Sequence, residues 1–312
     1  MKKYLCFDAG GTFIKYALID DRENFLESGK LTTSEFRSAE DLLDEIGALY
    51  ETHSDVVGIA MAMPGMIDVE RGYMYTGGSL QYLKEVSFAQ MVSQRCGNIP
   101  VTLENDAKAA ATAELYSGAL KDCKNGIVIT VGTALGGTLV IDRKVLRGNN
   151  LFAGELSYAY YSQEHMFDDP PPKQIFSEAC KETFWALRAG AARMCELYRS
   201  DGGDPSVTSG EQLFERIQCG DDKAATALRT CCHDLAMLLF NLQCTIDPDV
   251  IAIGGGISEQ PLFIETLREE TEVYRNVALD GAPRVNVVPC TYRNNANLLG
   301  AFYFHRQKTG QH

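Results

Sequence analysis

A strand, a glycine-rich turn, a second strand, a polar turn and a third strand open this chain, and the same order returns near its middle. Residues 3–9 form an apolar run around Asp8, and Gly10-Gly11-Thr12 makes the first turn. Residues 13–19 read as the second strand, Asp20-Asp21-Arg22-Glu23-Asn24 as the polar turn, and Phe25-Leu26-Glu27-Ser28 as the start of the third. The later copy has a strand at 127–131, a glycine-rich turn at 132–137, a strand at 138–141, the turn Asp142-Arg143, and a strand again at Lys144-Val145-Leu146. A duplication of this size implies two similar domains. The 312 residues leave room for both and are too many for one small core.

Helical periodicity fills much of the remainder. The pattern predicts helices over 39–51, from Asp106 through an alanine-rich stretch to 115, near 174–200, over 209–219, 221–246 and 261–275, and at the end over 294–307. Strands are expected at 55–62, 101–104, 249–253 and 284–288. Meanders alternating with helices give an α/β architecture of mixed sheets, with a cleft expected between the halves.

Charge narrows the partners. The net charge is −13, and Lys and Arg nowhere form a basic stripe, so nucleic acid and acidic membrane surfaces are poor partners. No apolar run is long enough to span a membrane, and Met1-Lys2-Lys3-Tyr4 runs directly into the first strand without room for a signal peptide, which points to the cytoplasm. The ten cysteines include no C-x-x-C pair and sit mostly among apolar residues, as reduced core thiols do. Cys231-Cys232-His233 reads as packing, because adjacent helical residues point in different directions.

The chemistry-bearing residues gather at three glycine sites and one acidic triplet. Asp8-Ala9-Gly10-Gly11-Thr12 lies between two strands, which excludes a Walker loop and a dinucleotide fingerprint, since both need a following helix. Such a hairpin can still present several amides to a phosphate, or be a simple turn. Gly132-Thr133-Ala134-Leu135-Gly136-Gly137 offers a second hairpin of this kind. Gly254-Gly255-Gly256 closes a strand just before a helix, where a ring or phosphate can approach the backbone. Glu104-Asn105-Asp106 stands where a strand ends and a helix begins. A carboxylate there is favoured in its ionised form and could take a hydroxyl proton, with Asn105 holding the hydroxyl; the same residues also suit a helix cap.

The ordered set Asp8-x-Gly-Gly-Thr12, Met63-Pro64-Gly65, Glu104-Asn105-Asp106, Gly132-Thr133-x-x-Gly-Gly137, Ala153-Gly154-Glu155 and Gly254-Gly255-Gly256 resembles the ROK (repressor, open reading frame, kinase) family of sugar kinases. The likeness runs to Leu299-Gly300-Ala301. It implies duplicated actin-like ATPase (ribonuclease H-like) domains closing on ATP and a sugar. The first would hold residues 1–118 and, because the family's last helix packs back on it, 294–312; the second would hold 119–293. It further implies that Asp8, Gly10, Gly11, Thr12 and Lys15 serve the phosphates, with Asp8 an indirect Mg2+ ligand. Gly132 and Thr133 would serve them from the second hairpin, and Gly254, Gly255 and Gly256 would flank the adenosine. Asn105 would bind sugar hydroxyls, Asp106 would be the base, Glu155 would meet the anomeric side, and Gly65, Gly78 and Ser79 would border the sugar. The family's habit is a homodimer.

The departures from the family are local. Ala134 replaces a frequent glycine. Tyr158 stands where the family has a zinc-binding His, and no cysteine occurs between Cys123 and Cys180 to supply its zinc cluster; the stretch 162–173 is acidic and Pro-rich instead. No structural zinc is therefore expected on ligand count. A Tyr offers a flat face for a second ring, so the resemblance leads to an ATP-dependent kinase acting on O6 of a hexose or β-glucoside. A glucokinase or an N-acetylmannosamine kinase is the alternative within the family. A sugar-responsive regulator or sensor is the alternative outside catalysis; a DNA-binding repressor would need a helix-turn-helix ahead of the first strand, where there are two residues, and a sensor would not need Asp106.

Overall fold

The computed structural model describes residues 1–132, 134–162, 182–278, 280–293 and 295–310. The chain divides into two compact units. One comprises Met1–Gly118, Arg147–Phe152 and Asn294–His312, and the other Ala119–Leu146 with Ala153–Arg293.

In the first unit β1 (Lys3–Ala9), β2 (Phe13–Asp20) and β3 (Phe25–Thr32) form an antiparallel meander. The helix α1 (Ala39–Thr52) then carries the chain to β4 (Gly58–Met63), which lies parallel to β1. A small hairpin, β5 (Ile67–Asp68) and β6 (Tyr73–Met74), precedes α2 (Phe88–Arg95), β7 (Val101–Asn105) and α3 (Asp106–Ser117). The sheet order is β3-β2-β1-β4-β7. β1 and β4 read as continuous apolar runs because both faces of the sheet centre are covered. Ser38 and Asp41 close a capping box at the start of α1.

The second unit repeats this scheme. β8 (Gly126–Val131), β9 (Leu135–Ile141) and β10 (Lys144–Val145) form the meander, and β11 (Val250–Gly254) and β12 (Val287–Pro289) extend the sheet in parallel, in the order β10-β9-β8-β11-β12. Its helices are α4 (Ala191–Ser200), α5 (Gly210–Gln218), α6 (Asp222–Ile246) and α7 (Pro261–Ala278). Cys195, Cys231 and Cys232 are buried in its core, and burial pushes the Cys231 thiol up to about 11, as inert packing thiols require. Among the described residues no helix is long and apolar enough to cross a membrane.

The C-terminal helix, α8 (Ala296–Thr309), returns to the first unit and lies on α3. A Cβ at Gly300 would fall 1.7 Å from the Ala109 carbonyl oxygen, so the two backbones touch where only glycine fits. Tyr116 stacks on Tyr303 at 4.9 Å, and the Tyr303 hydroxyl donates to Glu23. Covered on both sides, α3 is buried almost throughout, which explains an alanine-rich helix with little amphipathic character.

Two expectations change and one element is added. The glycines Gly136 and Gly137 are inside β9, which begins at Leu135, rather than in the turn. The expected helix near 174–200 shows, in its described part, a 3-10 turn at Trp185–Leu187 and a helix only from Ala191, because Gly190 adopts φ 102° against the Gly132 carbonyl. The helix α2 has no counterpart in the sequence reading.

Candidate active site

The turn after β1 is closed by the Gly10 N–H donating to the Phe13 carbonyl at 3.0 Å. Thr33 fastens it from the side: its N–H donates to the Thr12 carbonyl at 3.0 Å, and its hydroxyl to the Gly10 carbonyl at 2.7 Å. Neither Gly10 nor Gly11 has a left-handed backbone, so glycine serves space here, not conformation. A Cβ on Gly11 would come within 3.3 Å of the Ser79 side chain. Asp8 is nearly buried; its Oδ1 accepts from Asn297 at 2.8 Å, and its Oδ2 faces the Lys15 ammonium at 3.5 Å.

Contacts continue from Ser79. Gly78 (φ 56°) and Gly65 (φ 100°) interlock: a Cβ on Gly78 would meet Pro64 at 2.9 Å, and one on Gly65 the Thr76 carbonyl oxygen at 2.2 Å. Both positions need glycine for conformation and for space. The Asn105 amide donates to the Gly65 carbonyl at 3.1 Å, while its Oδ1 accepts the Lys108 N–H at 3.2 Å as the cap of α3. Asn105 is thus the cap, and Asp106 is the first helical residue, half-buried, with Oδ1 accepting the Ala107 N–H at 2.8 Å. Behind them Glu104 is fully buried. It accepts the Asn105 N–H at 2.9 Å and the Arg147 guanidinium. Burial pushes its carboxyl above the ordinary value, and Arg147 opposes that push.

The structure therefore brings Asp8, Gly10, Gly11, Thr12, Lys15, Gly65, Gly78, Ser79, Asn105 and Asp106 into one region of the first unit. In that region a carboxylate at a helix start belongs to the same unit as the glycine hairpin after β1.

In the second unit, Thr133 lies outside the described residues, as does most of the Pro-rich stretch 162–173. Gly132 remains in the turn, its N–H donating to the Ala134 carbonyl at 3.2 Å. Gly255 (φ 90°) presses on Val131, where a Cβ would fall 2.2 Å from the carbonyl oxygen, and Gly254 packs against Cys290. Gly256 alone of the three lines a cavity of about 320 Å³, shared with Gly132, Ser209, Glu211, Phe214 and Gln260. The sequence reading missed those last four. Ser209 and Gln212 form a capping box that sets a helix N-terminus at the cavity wall. Glu155 precedes the 3-10 turn Leu156–Tyr158, which Gly154 (φ 84°) seats against β9, and Ser157 bonds the Leu135 carbonyl. Tyr158 leaves 45% of its surface exposed. Among the described residues no His, Cys, Asp or Glu cluster could hold a metal ion.

Each unit has the meander-plus-parallel sheet of the actin-like ATPase fold. The model of the ROK family matches residues 4–308, and the chain belongs to that family. It is 27% identical to a β-glucoside kinase of Listeria monocytogenes, over 99% of both chains. To a β-glucoside kinase of Klebsiella pneumoniae it is 29% identical, over 98% of this chain and 96% of that one. A crystal structure of a ROK family protein from Streptococcus pneumoniae in complex with sucrose matches with a TM-score of 0.83 at 27% identity, covering 99% of this chain and all of that one.

Proposed function

We propose that this chain is an ATP-dependent sugar kinase in which the first unit supplies the base and most of the sugar and phosphate contacts, and the second supplies the adenosine site with further phosphate and anomeric-side residues. The unbroken run of close approaches from the Gly11 turn through Ser79, Gly78 and Gly65 to Asn105 supports this most, because it draws the glycine hairpin and the strand end before Asp106 into one region. Asp106 takes the proton of the attacking hydroxyl as that oxygen bonds to the γ-phosphorus. The bond from phosphorus to the bridging oxygen breaks, and ADP leaves with the electron pair. Gly10, Gly11, Thr12, Gly132 and Thr133 hold phosphate oxygens through the backbone, and Lys15 adds charge. Mg2+ would neutralise the phosphates when bound, and Asp8 would be the residue that helps hold it.

Gly256 and its neighbours at the second unit's cavity take the adenosine; about 320 Å³ is within the usual range for a small-ligand site. Asn105, Gly65, Gly78 and Ser79 orient the sugar, and Glu155 and Tyr158 serve its anomeric side. The exposed Tyr158 face and the two similar β-glucoside kinases favour a β-linked acceptor phosphorylated at O6. A panel of glucose, N-acetylmannosamine, cellobiose and gentiobiose with ATP tests this. The β-linked disaccharides should match or exceed glucose in kcat/KM, whereas glucose ahead by a large factor would leave a glucokinase. Elemental analysis should find no stoichiometric zinc in the active protein.

A further inference from the structure

Arg147 belongs to a six-residue strap, Arg147–Phe152, that is part of the first unit although the chain on both sides of it belongs to the second. The strap is tightly wound. Gly148 has φ 74°, and Leu151, an unlikely residue for it, has φ 58°, a conformation that costs about 1 kcal/mol or more unless its surroundings impose it. At its start the Arg147 guanidinium lies 5.4 Å from the Phe304 ring centre and pairs with Glu104, whose side chain is 1% exposed. The other oxygen of the same carboxylate accepts the Asn105 N–H. One buried carboxylate therefore holds both the strap and the backbone from which Asn105 and Asp106 project. At its far end the strap runs directly into Ala153-Gly154-Glu155.

We propose that Arg147 is a positioning residue for phosphoryl transfer, acting through Glu104 to fix the strand end that presents Asn105 and Asp106. The inference rests on Asp106 being the base. A buried pair contributes little net stability compared with an apolar pair of the same size, so its position under the reacting groups is a reason for its presence that stability does not supply. Its effect falls on the sugar and the chemical step, not on the nucleotide. The adenosine cavity contains neither residue.

The test compares Arg147→Lys, Arg147→Met and the double variant Glu104→Gln/Arg147→Met, with rates expressed per nucleotide-binding molecule counted by titration with an ATP analogue. The double variant removes both charges and guards against a fold broken by one buried charge. Displacement of reacting groups by about 1 Å can cost about a hundredfold, so Arg147→Met and the double variant should lose about tenfold to a hundredfold in kcat, with sugar KM raised. The ATP KM should stay within about twofold, and Arg147→Lys should recover part of kcat because it keeps the charge but not the planar fork. A double variant with wild-type kcat and sugar KM per binding molecule, or an equal rise in both KM values, would overturn the proposal. Failure of the underlying reading looks different: Asp106→Asn would stay active, or the wild-type chain would phosphorylate no sugar.

Discussion

The two glycine hairpins occupy equivalent places in the two sheets, yet their glycines meet different neighbours. In the first unit the last strand pairs are Asp8 opposite Lys15 and Ala9 opposite Ile14; in the second they are Thr130 opposite Gly136 and Val131 opposite Leu135. A Cβ on Gly10 would come 3.1 Å from the Phe13 carbonyl oxygen and one on Gly11 3.3 Å from the Ser79 side chain, tight contacts that slight movement relieves. Gly136 and Gly137 give their space to Thr130 and Leu156, and a glycine from elsewhere in the chain, Gly255, lets the strand-to-helix turn close on Val131. The glycines of the first hairpin have neighbours that can give way, whereas the strand after the second turn is braced by its own chain. Only the first has a charged pair at its base.

Substitutions at matched glycines can break this comparison. The largest effect is expected for Gly255→Ala and Gly65→Ala. Each has positive φ and a Cβ site 2.2 Å from a carbonyl oxygen, so backbone must move, and a loss of about 3 kcal/mol or more in chemical denaturation is expected. Gly11→Ala should separate stability from catalysis. Its added methyl touches only the Ser79 side chain, so stability should change by about 1 kcal/mol or less while kcat/KM for ATP falls at least about tenfold. If Gly11→Ala lost stability and kept its rate, the first hairpin would be a structural turn. Gly136→Ala should have the smallest kinetic effect, within about threefold, because its methyl displaces only the Thr130 hydroxyl end.

A buried histidine distinguishes the units further. His305 on α8 is fully buried, with Nδ1 3.0 Å from the Thr102 hydroxyl and its ring against Gly58, and burial lowers its pKa to about 4. Because the unfolded chain binds that proton near pH 6.5, stability is fully present above that pH and is lost as pH falls toward 4. The loss by pH 5 is about 2 kcal/mol. His305→Gln should flatten this part of the wild-type pH profile; an unchanged slope would assign the acid lability to other groups.

The repeat was legible because strand and turn chemistry are local: the first strand was read at its observed limits, and the third glycine site at the end of its strand. What the sequence hid was decided by distant neighbours. Gly136 and Gly137 resemble a turn until Leu156 and Thr130 are seen in their place. The helix α2 is short, and Ser87 makes no side-chain cap to announce it. The cavity wall at Ser209, Glu211 and Phe214 follows an ordinary amphipathic helix, and nothing in that period distinguishes a helix facing a cavity. The Arg147 pairing links residues 43 positions apart, beyond any local pattern.

The central claim is that Asp106 takes a sugar proton as ATP gives up its γ-phosphoryl group. Phosphorus NMR of wild-type and Asp106→Asn protein with ATP and either cellobiose or glucose tests it directly. The account predicts ADP and a sugar 6-phosphate in equal amounts from the wild type, and a rate lower by about 10²–10⁴ in the variant with nucleotide binding retained. A wild type that forms no sugar phosphate, or a variant that keeps more than about a tenth of the rate, would contradict it.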